Sequence, residues 1–236
     1  FLGIVYFIGI FVLSFIMDIK YPIVTVLFGL SYFLFTIYNS IYGIWRILMV
    51  NLKRIVSEDE FEKGIKALIS IFIEEYPYFS TWISNNMYQF KNGEKQILGI
   101  EKKDGIVGYL MIHFCTSKIV KINGIYIFDE FSNQGVATAA INELINKLTK
   151  LFIDLIYIQT RLDNNSVVHL FDKTNFQLIG TNFHEVENKN NWVACHKINS
   201  SITNEQEIAQ KLYKGFLPLK QNEIISLRNE HKNTLY

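Results

Sequence analysis

The fold is decided by residues 119–151, which read IVKINGIYIFDEFSNQGVATAAINELINKLTKL. The apolar stretch 119–128 predicts a β-strand, and residues 134–151 return to helical spacing. The apolar face predicted for this helix consists of Ala137, Ile141, Leu144, Leu148 and Leu151. Residues 155–159 form a short, wholly apolar run, which is typical of a strand buried on both faces. The order strand, helix, strand therefore predicts two parallel strands joined by a right-handed crossover through this helix.

The segments around this unit predict the rest of a sheet. Two helices are expected over 58–75 and 80–90, because a capping box at Ser57 begins the first and Pro77 ends it. The remaining expected strands are 55–56, 97–102, 106–114, 176–186 and 192–198, with a further helix over 164–174. This order predicts an α+β fold in which a mixed, mostly antiparallel sheet is flanked by helices.

Composition limits the function classes. The chain has 236 residues, of which 50% are hydrophobic and 19% charged, so it is neither a disordered chain nor a disulfide scaffold. The body after residue 52 has balanced charge and no basic stripe, which argues against nucleic-acid binding. The two cysteines and five histidines show no metal-ligand spacing, so we expect no metal.

The N-terminal segment differs from the body. Residues 1–17 and 23–45 contain no charged residue, and the polar hinge DIKYP separates them. We expect residues 1–52 to form a membrane-anchoring transmembrane helical hairpin, with the domain over 53–198 and a helical tail over 199–236 on the cytoplasmic side. A helical pair packed into a soluble core is the alternative. The hairpin would also offer a surface to a membrane-protein partner.

Three stretches carry a resemblance to a known family. They are Ile55-Val56-Ser57-Glu58-Asp59, then Ile125-Tyr126-Ile127 with Phe131-Ser132-Asn133-Gln134-Gly135-Val136-Ala137, and Asn164 through Phe171 to Asn175-Phe176. In residue type and spacing the body resembles the GNAT superfamily of acyl-CoA N-acyltransferases. The resemblance implies acetyl-CoA as co-substrate and a small-molecule or peptide amine as acceptor. The cofactor-binding residues that it implies are Ile127, Phe128, Asp129, Asn133, Gln134, Gly135, Val136, Ala137, Thr138 and Asn164.

The departures from the family pattern bear on catalysis. Lys121 stands where many members carry a glutamate base, and Phe171 stands where many carry a tyrosine that protonates the thiolate. Ser132 replaces an arginine or glutamine, and Asn175 replaces a glycine.

No catalytic residue is therefore assigned. His113 and Tyr126 are the candidates, although each residue type in a strand is more often simply packed. The sequence predicts a membrane-tethered N-acetyltransferase that moves an acetyl group to a primary amine by direct attack. The alternative is a non-catalytic acyl-CoA-binding module that regulates or scaffolds at the membrane.

Overall fold

The body of the chain is built on one sheet. The computed structural model describes residues 30, 33–37, 49–55, 58–72, 77–103, 105–184 and 189–233. Within these ranges eight strands lie in the order β1-β2-β3-β4-β5-β7-β6-β8. The strands are β1 (Asn51–Arg54), β2 (Lys95–Lys102), β3 (Gly105–Phe114), β4 (Ile119–Ile127), β5 (Leu155–Arg161), β6 (Gln177–His184), β7 (Lys189–Lys197) and β8 (Phe216–Pro218). The helices are α1 (Glu58–Phe72), α2 (Phe79–Lys91), α3 (Val136–Lys150), α4 (Asn165–Lys173), α5 (Glu205–Leu212) and α6 (Gln221–Asn233).

The strand pairing is mixed. β4 and β5 run parallel, with α3 in the connection between them, and every other pairing in the described sheet is antiparallel. The predicted mixed, mostly antiparallel α+β fold is confirmed, and so is the pair of parallel strands around the crossover helix.

Helices cover the two faces of the sheet differently. On one face, Val120, Ile122 and Ile156 pack with Ala140 and Leu144 of α3. On the other face, two separate apolar clusters form. One joins β2 and β3 to α1 and α2, and the other joins β5 and β7 to α5 and Tyr213. Alternation of side chains along each strand places successive residues on opposite faces.

The chain divides into two compact units, Phe1–Met49 and Val50–Tyr236. The first strand is Asn51–Arg54, four residues before the predicted one at 55–56, so it begins inside the segment assigned to the hairpin. Beyond residue 198, where a helical tail is predicted, the chain also adds the edge strand β8, and Phe216 is buried. The tail therefore contributes to the sheet.

Most of the predicted membrane hairpin lies outside the described residues. Within residues 1–48, the structure describes residues 30 and 33–37, which are helical. Among the residues that the structure describes, no helix combines the length and the apolar character needed to cross a membrane.

Candidate functional site: a gap between two parallel strands

The two parallel strands separate after four residue pairs. β4 pairs with β5 from Ile119↔Leu155 to Ile122↔Ile158, and the paired register ends there. β5 instead follows β7 over its whole length, to Arg161↔Asn191. A bulge in the β3–β4 pairing falls at this point, with Asn123 as the extra residue. Because bulges bend the strand that contains them, the second half of β4 leaves β5 and a gap opens.

The backbone of β4 beyond the bulge has one side free. The N–H of Phe128 donates to the carbonyl of Val107 on β3, at 3.0 Å. Backbone groups of successive strand residues point in alternate directions, so those of Ile125 and Ile127 point toward the gap. Of the predicted backbone ligands 127–129, Ile127 therefore faces the gap, while the Phe128 N–H is occupied. Sequence reasoning missed Ile125, which the register of the predicted hairpin could have identified.

A tight turn follows β4 and begins α3. Asn133 and Gly135 both adopt the left-handed conformation, with φ of 59° and 77°. Gln134 Nε2 donates to the Glu130 carbonyl at 2.7 Å, which closes the turn. The first bond of α3 runs from Ala139 N–H to Gly135 O at 3.0 Å, so the N–H groups of residues 136–138 lack an intrahelical acceptor. Together with the helix dipole they can bind an anionic group. Sequence reasoning selected this turn, residues 133–138, for the pyrophosphate.

Asn164 has a structural role. It is the N-cap of α4, and its Oδ1 accepts the Val167 N–H at 3.2 Å. Phe171 is buried in the main core cluster. Asn175 adopts φ of 58°, so it reproduces the left-handed backbone for which a glycine is usual at this position. The departure at residue 175 is therefore conformationally conservative.

Lys121 lies just before the point where the pairing of β4 and β5 ends. Its Nζ donates to Gln159 Oε1 at 3.1 Å, and Gln159 is the first β5 residue beyond the paired register. The ammonium also lies 4.3 Å from the centre of the Tyr213 ring. Burial lowers the pKa of Lys121 to about 8, while the nearby Cys115 opposes that shift.

His113 lies beside Lys121 in the sheet. It is half-buried, and its register partners are Lys95 on β2 and Lys121 on β4. Its Nδ1 is 3.8 Å from the Cys115 sulfur. Burial lowers the pKa of His113, and the two lysines lower it further. The imidazole is therefore neutral at pH 7, but it is a weak base because two ammonium groups flank it.

The second catalytic candidate, Tyr126, lies further along β4. Its ring packs edge-on against Phe72 and Phe128 within the cluster that joins α1 and α2 to the sheet. Desolvation raises the pKa of its hydroxyl, and the charges of Asp129 and Glu130 raise it further. Tyr126 therefore keeps its proton at neutral pH. The structure does not bring Tyr126 and His113 together as register partners.

Several polar residues of this region were missed by sequence reasoning. Lys95, Asn123, Gln159 and Tyr213 come from four separate segments, and no short motif links them. The buried Oδ1 of Asn123 and the buried hydroxyl of Tyr213 have no hydrogen-bond partner among the described residues. A water molecule, an ion or a ligand group could supply the missing hydrogen bonds.

Part of the chain matches a known protein family. Residues 65–176 match the family model described as "Acetyltransferase (GNAT) family". Over these residues the chain is similar to the GNAT acetyltransferases. This confirms the resemblance drawn from residues 55–59, 125–137 and 164–176. The search of curated proteins found no match.

Solved structures share the GNAT fold at low identity. The Microcin C7 self-immunity acetyltransferase MccE, in complex with acetyl-CoA and AMP, is 20% identical, with 63% of this chain and 92% of that chain covered and a TM-score of 0.51. NAA60 of Arabidopsis thaliana, in complex with acetyl-CoA, is 14% identical over 64% of this chain and all of that chain (100%), with a TM-score of 0.51. A spermidine N-acetyltransferase SpeG chimera from Vibrio cholerae and hSSAT is 17% identical, covers 63% and 94%, and scores 0.50.

Among the residues that the structure describes, no group of three or more His, Cys, Asp and Glu side chains is placed to hold a metal ion. Cys115 is half-buried and Cys195 is buried, and both are free thiols. Burial raises the pKa of each thiol, to about 12 for Cys195. Both sulfurs are therefore protonated at pH 7 and are poor nucleophiles.

Proposed function

We propose that the protein is an N-acetyltransferase that moves the acetyl group of acetyl-CoA to a primary amine. The observation that carries the proposal is the gap between β4 and β5, together with the turn that follows β4 and begins α3. The pantetheine arm would lie in the gap, with its amides on the free backbone groups of Ile125 and Ile127. The pyrophosphate would lie on the N–H groups of residues 136–138.

The chemistry would be direct attack by the neutral amine on the thioester carbonyl. The backbone N–H groups of β4 that face the gap would stabilise the negative charge that forms on the carbonyl oxygen. A primary amine with a pKa near 10 is almost fully protonated at neutral pH and must first lose a proton. Lys121 is a cation below about pH 8, so the proton would pass to water, and turnover would rise with pH.

Phe171 supports a second candidate function. It is 1% exposed, it packs against Phe176, and it has no proton to give to a departing thiolate. Without a positioned acid, transfer would be slower by about 100- to 10,000-fold. The second candidate is a module that binds acyl-CoA without turning it over, which would show the same gap and turn. The two functions differ in whether free CoA is produced from acetyl-CoA.

Residues 1–49 would tether this domain to a membrane, with the domain on the cytoplasmic side. The uncharged runs 1–17 and 23–45, and the basic pair Lys53 and Arg54 that follows them, support this part of the proposal. The same hairpin would provide the contact with a membrane-protein partner.

Native mass spectrometry of the purified protein tests the binding function. We expect one CoA or acetyl-CoA per chain, either retained from the cell or added back. The matched control is Gly135→Glu, which places bulk and negative charge at the start of α3. Equal retention in the wild type and the variant would contradict the placement, and no binding in either would contradict the proposal.

A further inference from the structure

A row of two lysines with a neutral histidine between them crosses three strands beside the gap. Register pairs join Lys95 of β2 to His113 of β3, and His113 to Lys121 of β4. Register partners lie on the same face of a sheet, and neighbouring strands are about 4.8 Å apart. The two lysines therefore flank the histidine on one face. We call these three residues the cationic row.

The positive charge of this row is not neutralised within the described part of the chain. Lys95 is 6% exposed, its Nζ donates to Asn86 Oδ1, and it lies 4.5 Å from the centre of the Trp82 ring. Lys121 has the Gln159 amide and the Tyr213 ring as partners. Neither lysine forms an ion pair with a described carboxylate. Glu94, the adjacent acid, acts on the charge of Lys95 electrostatically, but it is exposed and bonded to Asn92.

Lys95 is buried and Lys121 is half-buried, and neither has an ion-pair partner among the described residues, so removal from water penalises both charges. A protein can retain such an unfavourable arrangement at a site where a bound ligand supplies the missing charge. The aromatic rings of Trp82 and Tyr213 stabilise each cation in part but leave its charge in place. What the row lacks is an anion.

The position of the row identifies which molecule brings the anion. Lys121 shares its register with Tyr157, which packs on the face opposite α3. The turn proposed for the CoA pyrophosphate begins α3 on the other side of the sheet. The CoA phosphates are therefore accounted for elsewhere. A ligand on the face of the row would reach the thioester from the side opposite the cofactor turn.

We infer that the acceptor is a small amine carrying a carboxylate or phosphate, which binds to Lys95, His113 and Lys121. This inference rests on the proposed transferase function. Strand residues rise about 3.3 Å each, so Lys121 lies within about 7 Å of Asn123, where the gap begins. The anionic group is therefore only a few bonds from the reacting nitrogen.

Matched pairs of amines test the inference on the full chain. They are β-alanine with β-alaninamide, and O-phosphoethanolamine with ethanolamine, and spermidine is the cationic reference. Each is titrated calorimetrically with CoA present, and kcat/KM for acetyl transfer is then measured. We expect each member with an anionic group to bind about 10- to 100-fold more tightly than its partner without one, the size of a charge-assisted hydrogen bond. The better of the two pairs distinguishes carboxylate from phosphate.

The variants Lys95→Met and Lys121→Gln should remove that preference, chiefly through KM, while Lys66→Met, an exposed lysine of α1, should keep it. The inference would be overturned if the members without an anionic group bound equally well, or if spermidine bound more tightly. A preference that survives both variants would overturn the placement. Acetyl-CoA binding, measured alone in the same calorimeter, reports separately on the proposed function.

Discussion

In the proposed site, Gly135 is the residue on which we expect cofactor binding to depend most. Its φ of 77° is accessible to glycine without strain, and its lack of a side chain leaves the N–H groups of α3 open to a phosphate. Asn133 has the same handedness two residues earlier. The turn therefore has the concave backbone that anions prefer.

Gly135→Glu should abolish acetyl-CoA binding while the fold persists. The new carboxylate would occupy the proposed phosphate position and repel the phosphate. Calorimetric titration with acetyl-CoA measures the loss of binding. The matched control is Gly215→Glu, since Gly215 also has positive φ, 69°, and lies in the loop before β8. Gly215→Glu carries the same backbone strain and should bind normally. If both variants bind alike, the turn is not the phosphate site.

Lys121 should reduce the stability of the protein at neutral pH. Its folded pKa is about 8, below the ordinary lysine value of 10.5, so the unfolded chain holds the proton more tightly. Lys121→Met should therefore raise the free energy of unfolding by about 2 to 3 kcal/mol at pH 7. The gain should shrink between pH 8 and 10.5, because the folded wild type is then already neutral at Lys121 and the unfolded chain progressively loses its proton as well. Denaturant titrations at several pH values measure it; a gain independent of pH would contradict the assigned cause.

At the scale of elements, Asn164 caps α4 and is also the residue that the family resemblance assigns to the pantetheine arm. Asn164→Asp keeps an oxygen that can accept the Val167 N–H, whereas Asn164→Ala removes it. We expect Asn164→Ala to lower stability by about 1 kcal/mol and Asn164→Asp to leave it nearly unchanged. If the side-chain NH₂ also donates to pantetheine, Asn164→Asp should weaken acetyl-CoA binding at unchanged thermal stability. Unchanged affinity in Asn164→Asp would restrict Asn164 to capping.

The order of the elements was predictable because each carries a local period. Helical spacing and turn residues predicted α3 and the β2–β3 hairpin within a few residues. The buried face of α3 was less well predicted. Val136 and Ala140 are buried, whereas Leu151 is 59% exposed, because α3 ends at Lys150 and Leu151 turns away from the sheet. The bulge at Asn123 leaves no local pattern, so the sequence does not show where the gap begins.

The cationic row could not be predicted from the sequence either, and the reason is different. Lys95 and Lys121 are 26 residues apart in sequence and become neighbours only through the register of two hairpin pairings. Tyr213 reaches the row from the chain after β7, which sequence reasoning assigned to a tail. Long-range register and packing therefore created the part of the site that no motif describes.

At the scale of the whole molecule, residues 1–49 form a unit separate from the domain. If that unit is a membrane anchor, carbonate extraction should leave the full chain in the membrane pellet. A truncated chain that starts at Val50 should appear in the supernatant and should still bind acetyl-CoA. Full-length protein in the carbonate supernatant would contradict the tether and leave the transferase proposal intact.

The central claim is that an amine in this domain attacks acetyl-CoA held between β4 and β5. The most direct measurement is the release of free CoA thiol from acetyl-CoA, followed with and without a primary amine, in the wild type and in Gly135→Glu. The account predicts release that requires the amine, increases with pH, and disappears in Gly135→Glu. Tight binding of acetyl-CoA with no amine-dependent thiol release at any pH would contradict it and establish the non-catalytic module instead.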